Sequence, residues 1–168
     1  MKNILDKKHL KLLYSAYCKS YLEYGSFLFC LCNQAVRSPI IKLQKKAIRI
    51  ITKSGYNDHT SPLFKREQLL PFNEIIKFNI AVFMFDYING LAPKAFDDAW
   101  CTNLQRNPHF NLRNQDDFYV PHTLPYLDKY PDTVFPNVWN SLPSHLKLIR
   151  NKKKFKTDLK KHLLDSMP

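Results

Sequence analysis

Three glycines in 168 residues leave little scope for a phosphate-cradling loop. Gly25, Gly55 and Gly90 stand apart, and neither G-x-x-x-x-G-K nor G-x-G-x-x-G occurs. Long apolar runs are missing as well: the richest stretch, IAVFMF, falls far short of the roughly 18 residues that a membrane-spanning helix requires. The four cysteines, Cys18, Cys30, Cys32 and Cys101, are too sparse for a disulfide scaffold. The opening MKNILDKKHLKLL lacks the unbroken apolar core and small-residue cleavage site of a signal peptide. The expectation is an intracellular protein of the cytoplasm or nucleus, reduced and not secreted. Acids are scarce too, 14 against 26 Lys and Arg, for a net charge of +12 and a pI near 9.6. Such a balance favours acidic partners, nucleic acid first and an anionic membrane surface second.

What is present is the material of one folded domain. Hydrophobic residues make up 45% and aromatics 14%, enough for a real core and well outside the range of disordered chains. The positive charge sits at the two ends. Residues 1–55 carry 11 basic against 2 acidic side chains, a net of +9, and residues 148–168 carry 7 against 2, a net of +5. The middle, 56–147, holds 8 against 10, a net of −2.

The hydrophobic spacing is mostly helical. From Asp6 to Tyr24, Leu10, Leu13, Tyr14, Tyr17 and Tyr21 recur at helical intervals. After Gly25, SFLFCLC reads equally as a strand or a buried helix. In SPIIKLQKKAIRIITKSG, Ser38 and Pro39 have the chemistry of an N-cap and first helical residue, and Gly55 that of a left-handed C-terminal cap. At about 100° per residue, Lys42, Lys46, Arg49 and Lys53 fall within about 60° of one another. Ile40, Leu43, Ala47, Ile50 and Ile51 take much of the opposite side and are expected to be buried.

Thr60 or Ser61 is expected to cap a short helix begun by Pro62, which Pro71 ends. FNEIIKFNIAVFMFDYING then carries the clearest helical period, through Phe72, Ile75, Ile76, Ile80, Phe83, Met84, Tyr87 and Ile88, to a stop at Gly90. APKAFDDAW reads as another short helix after Pro93. From Cys101 to Pro136 prolines and asparagines without helical period predict a long irregular segment with short extended pieces near FYV, a docking arm or a disordered stretch. Order resumes at VWNSLPSHLKLI. A final amphipathic helix places Phe155, Leu159 and Leu163 on one face and Lys153, Lys156 and Lys160 on another. The expected fold is mainly α, a small helical bundle with a long irregular proline-containing segment before a C-terminal amphipathic helix.

Signatures of catalysis are weak. Two-metal chemistry needs carboxylates converging on ions about 4 Å apart. The aspartate pairs in FDDAW (96–100) and QDDFY (115–119) fit helix-end and loop solvation better. Cys30-x-Cys32 has one intervening residue and no matching second pair, so two buried small hydrophobes explain it better than zinc. GSF at 25–27 is not a nucleophile elbow, and the six histidines are scattered. Tyr14, Tyr17, Tyr21 and Tyr24 have faces on which bases or sugars stack, but core packing is the simpler expectation. The four-cation stripe, taken with the charge asymmetry, favours contact with nucleic-acid phosphates without reading of bases.

Several strings, in order, resemble the C-terminal part of non-LTR (LINE-type, jockey-like) retrotransposon reverse transcriptases. They are LYSAYCKSYLEYG, then KLQKKAIRIITKSGYNDHTSPLFKREQLLPFNEIIKFNIAVFMFDYING, then VWNSLPSHL followed by KKFKTDLKKHLL. The most telling pieces are L-Q-K-K-A-I-R at Leu43–Arg49, H-T-S-P-L-F at His59–Phe64 and W-N-S-L-P at Trp139–Pro143. The resemblance implies a thumb and the region after it. The aromatic-x-Asp-Asp motif of the family's palm has no counterpart, and neither do its endonuclease or its cysteine–histidine knuckle. It therefore implies a fragment, non-catalytic by itself and without a cofactor of its own, from a truncated or decayed element copy. Its partners would be RNA or an RNA–DNA duplex, gripped through phosphates, and the missing palm.

On this reading residues 1–100 form a helical thumb-like domain, 101–137 an irregular segment and 138–168 a C-terminal basic helical segment. The candidate nucleic-acid contacts are Lys42, Lys45, Lys46, Arg49 and Lys53, joined by Lys153, Lys156 and Lys160 of the terminal helix. Two other readings stay open. One is a protein-interaction module whose basic face is only surface, and the other is peripheral attachment to anionic membranes through the terminal helix.

Overall fold

A computed structural model describes residues 5–109, 114–121 and 130–167. The chain is mainly helical, a small helical bundle, and the described residues contain no strand beyond an isolated bridge between Thr102 and Phe118. It divides into two compact units, one formed by residues up to Ile76 together with Leu159 onward, the other by Lys77–Asp158.

In the first unit, α1 (Lys7–Leu13) starts where the Asp6 carboxylate accepts the His9 backbone N–H at 2.8 Å, satisfying an N-terminal donor that has no partner within the helix. A π-helical segment, Tyr14–Lys19, follows without a break and leads into α2 (Ser20–Tyr24). SFLFC forms α3 (Ser26–Cys30), which resolves the strand-or-helix ambiguity of that run. The long α4 spans Gln34–Thr52 and is followed by α5 (Thr60–Glu67) and the start of α6 (Phe72–Ile88). Leu10 and Tyr14, Ile48 and Ile51, Leu63 and Phe64, Leu69, Leu164 and Met167 pack into one core. Burying an aliphatic or aromatic side chain of this size contributes about 1.5–3 kcal/mol.

A polar hub sits inside that core. Gln44 of α4 is 4% exposed, and its side-chain amide nitrogen donates to the Tyr14 hydroxyl (2.9 Å) and to the Leu70 carbonyl (3.1 Å). Its amide oxygen accepts the Phe72 backbone N–H at 2.7 Å, capping α6 from a neighbouring helix. Glu67 is buried as well, with Lys7 Nζ at 2.7 Å from Oε1 and Arg66 Nε at 3.3 Å. Lys11 Nζ donates to the Glu67 carbonyl at 2.6 Å, and Lys65 Nζ to the Met167 carbonyl at 2.6 Å.

The second unit is built on aromatic packing. Phe83 meets Phe96, Trp100 and Phe135 edge to face, and Trp100 stacks on Phe135 at 5.5 Å. The Tyr87 hydroxyl accepts the Trp100 backbone N–H (3.2 Å) and donates to the Trp100 carbonyl (2.6 Å). A single 3₁₀ turn, Lys94–Phe96, stands where a short helix is expected after Pro93. Two further departures lie in the segment expected to be irregular. A one-turn helix, α7 (Asn103–Arg106), forms because Thr102 and Gln105 make a reciprocal capping box. Helical order also returns at α8 (Pro131–Asn140), earlier than Val138, with Pro131 at a first-turn position where its missing N–H costs nothing. Part of that segment, 110–113 and 122–129, lies outside the described residues.

Asn140 clamps the FYV segment, its amide donating to the Phe118 carbonyl (2.8 Å) while its oxygen accepts the Phe118 N–H (3.0 Å). After α9 (Ser144–Lys147), α10 (Lys152–Asp165) begins. Phe155, Leu159 and Leu163 are buried along it, as their spacing predicts.

Candidate functional site

The position of the cations depends on where α4 begins and which way it faces. Asn33, not Ser38, caps it: the Asn33 side-chain oxygen accepts the Val36 N–H at 3.1 Å. Arg37 Nε and Nη2 both donate to the Cys32 carbonyl, at 3.1 and 2.8 Å, bracing this start. Pro39 consequently lies inside the helix, on its exposed side, where solvent can take the carbonyl that its missing N–H frees. At the other end Lys53, with φ +55°, occupies the left-handed position expected for Gly55. Its N–H bonds the Ile50 carbonyl (3.2 Å) and the Ser54 N–H bonds the Arg49 carbonyl (3.0 Å), the paired bonds of a Schellman cap.

The buried side of α4 is centred on Gln44, Ile48 and Ile51, three residues at helical spacing. Lys42, Lys46, Arg49 and Lys53 fall about 140–200° away from Gln44, diametrically opposed to it. Lys42, Lys45, Lys46 and Lys53 are exposed and Arg49 is half-buried. No ion pair among the described residues involves any of these five cations. The aliphatic stripe is less uniform than expected. Ile51 is buried and Ala47 packs against the core, but Leu43 is 66% and Ile50 42% exposed. These two lie roughly 100–120° from the buried centre, so they border the cationic side.

Lys42, Lys45, Lys46 and Arg49 line one open groove of about 520 Å3 together with Pro39, Leu43 and Tyr56. Arg49 is already engaged there. Its Nε and Nη2 donate to the Asp58 carbonyl at 3.1 and 2.8 Å, so it anchors the turn after α4 as well as adding charge. Lys53 stands at the helix end, near enough to Asp6 to contribute, after the dominant His9 hydrogen bonds, to holding that carboxyl below its ordinary range.

The terminal-helix lysines differ among themselves. Lys153 and Lys156 are exposed. Lys160 is half-buried, four residues before the buried Leu164 on the same side of α10. Burial, followed by the positive charges of Lys19 and Lys11, pushes its pKa below the ordinary lysine value. It therefore faces other cations of its own unit, with Glu23 as the opposing charge.

The remaining candidates fall into structural roles. Asp97 and Asp98 are exposed beside the 3₁₀ turn, and Asp117 pairs with Lys147 at 2.9 Å. Cys30 is buried, its thiol donating to the Phe27 carbonyl at 2.9 Å. Among the described residues no group of three or more His, Cys, Asp or Glu is placed to hold a metal ion. No helix among them is long and apolar enough to cross a membrane.

The N-terminal tyrosines depart from core packing. Tyr14 is buried and its pKa is raised, chiefly by burial, with the Gln44 hydrogen bond opposing the shift. Tyr17, Tyr21 and Tyr24 are exposed. The π-helical turn explains this: spacing of five in place of four puts Lys19, not Cys18, on the side of Tyr14 and swings the later tyrosines outward. A residue with no place in the sequence-based site, Tyr56, joins it. Its signal was faint, an aromatic inside the polar turn SGYND.

No family model, curated protein or solved structure matches the chain.

Proposed function

We propose that this chain is a non-catalytic, thumb-like piece of a non-LTR retrotransposon reverse transcriptase, and that it holds template–primer nucleic acid through phosphates without reading sequence. The observation that carries the binding half is the outer side of α4: Lys42, Lys45 and Lys46 are exposed, free of carboxylate partners among the described residues, and line one groove. Three unneutralised ammonium groups within two helical turns suit a polyanion, since each phosphate neutralised releases condensed counterions. The family half rests on the ordered strings LQKKAIR, HTSPLF and WNSLP. The polymerase chemistry itself belongs to the palm, for which this chain has no aromatic-x-Asp-Asp.

Fluorescence anisotropy with a labelled RNA–DNA hybrid tests the binding claim. The expected result is measurable affinity at low salt, lost progressively as salt rises, and abolished by Lys42→Glu/Lys46→Glu. Absence of binding at low salt would reject it.

One observation favours a second reading, a protein-interaction module of a decayed or domesticated element: Tyr17, Tyr21, Tyr24 and Leu28 are all left exposed. A stoichiometric protein partner whose binding is indifferent to salt and to added nucleic acid would select it.

A further inference from the structure

A surface that only grips the backbone of a duplex needs cations and little else, because the bases are stacked out of reach. The α4 groove has more. Pro39 and Leu43 give it an apolar border, and Tyr56 adds a phenol ring that is 79% exposed. Leaving a leucine and a tyrosine open to water beside three lysines gains nothing for the fold, whereas both fit a ligand that pairs negative charge with a flat apolar ring.

The turn that carries Tyr56 is also held in place. The neighbouring Gly55 donates its backbone N–H to Asp58 Oδ2 at 2.7 Å, closing the turn across Tyr56. A Cβ at Gly55 would lie 3.1 Å from Asp58 Oδ1, so this tight closure favours glycine. The Asp58 carbonyl is in turn gripped by both Arg49 donors. The turn bearing Tyr56 is thereby tied to the helix that bears the lysines. A ring carried on backbone fixed in advance loses less freedom on binding than one on a loose loop.

We propose that this groove takes an unpaired nucleotide of a single strand, its base against the Tyr56 ring and its flanking phosphates on Lys42, Lys45 and Lys46. Arg49 acts as the positioning residue that sets the turn. This rests on the nucleic-acid reading above and adds the class of ligand: single-stranded or frayed ends over continuous duplex. Stacking of this kind tolerates any base, in keeping with a groove whose lining holds no Asn, Gln, Asp or Glu to read a base edge.

The test compares a labelled oligo(dT) strand with a labelled RNA–DNA hybrid on the full chain, for the wild type, Tyr56→Ala, Tyr56→Phe and Lys42→Gln/Lys46→Gln. Tyr56→Ala is expected to weaken oligo(dT) binding by about 5- to 100-fold while leaving hybrid binding within about twofold. Tyr56→Phe keeps the ring and should retain the wild-type affinity for both. The lysine variant should weaken both ligands. Equal losses on both ligands with Tyr56→Ala, or no loss on either, would overturn the stacking site. Hybrid binding without oligo(dT) binding would overturn it too but leave the phosphate reading standing, whereas no binding of either ligand would end both. Because Tyr56 is exposed, its variants should unfold at the wild-type temperature, which separates lost contact from lost fold.

Discussion

On α4, the two sides of one helix live under different chemistry. Inward, Gln44 has both ends of its amide spoken for, and Ile48 and Ile51 are sealed in the core. Outward, Lys42, Lys45 and Lys46 hold no ion pair among the described residues. The contrast separates what builds the domain from what is left over for a ligand. Polar groups inside must be matched, because an unmatched one costs about 1–3 kcal/mol. Charged groups outside cost almost nothing to leave open, since water solvates them. A cation without a local partner is therefore cheap to keep and available for use.

Breaking the inner side should give the largest effect. Gln44→Leu keeps the volume but strands the Phe72 N–H and the Tyr14 hydroxyl, and is expected to cost about 2–3 kcal/mol in denaturant unfolding. Next comes Glu67. Burial alone would raise its pKa, but the hydrogen bond and charge of Lys7, helped by Arg66 and Lys11, outweigh it and hold the carboxyl below its ordinary 4.5. A carboxyl with a lowered folded-state pKa contributes stability that is present above the unfolded value and fades as pH falls through the folded one. Unfolding free energy should hence be level above pH 4.5 at this site and decline below it. Glu67→Gln should remove that decline and lower stability near neutral pH by about 1 kcal/mol.

The smallest effect sharpens the comparison at the helix end. Lys53 and Gln68 both adopt φ +55°, a conformation that favours glycine. Lys53→Gly and Gln68→Gly should each stabilise the protein by about 0.5–1 kcal/mol in thermal unfolding. Only the former removes a cation from the outer side, so only it should also weaken nucleic-acid binding.

Much of the fold was legible because it follows from spacing. The period of Phe72, Ile75, Ile76, Ile80 and Met84 predicts α6, and Phe155, Leu159 and Leu163 predict the buried side of α10. What was hidden depends on partners distant in sequence or on one-residue shifts. The π turn at Tyr14–Lys19 changes the spacing from four to five with no residue type to announce it, so Tyr17, Tyr21 and Tyr24 turn outward. Asn33, not Ser38, caps α4, and Arg37, four residues on, donates to the Cys32 carbonyl just before it. Lys160 looks equivalent to Lys156 until Leu164, outside the apolar stripe, pulls its side toward the core.

The strings on which the proposed family rests divide in a similar way. Gln44 and Ile48 of LQKKAIR, Leu63 and Phe64 of HTSPLF, and Trp139 and Leu142 of WNSLP are all buried, and Asn140 clamps Phe118. These strings are therefore mostly architectural, with Lys45, Lys46 and Arg49 as the part that reaches the groove. A fold-determining pattern can carry a family likeness while revealing little of the chemistry on its surface.

The central claim is that the open lysines of α4 meet phosphates. Its most direct test is the salt dependence of RNA–DNA hybrid affinity in the wild type and in Lys42→Gln/Lys45→Gln/Lys46→Gln. Losing three phosphate contacts should flatten the slope of log affinity against log salt by about 2–3, with unfolding free energy unchanged within about 0.5 kcal/mol. An identical slope in a variant that is folded and still binds would contradict the account.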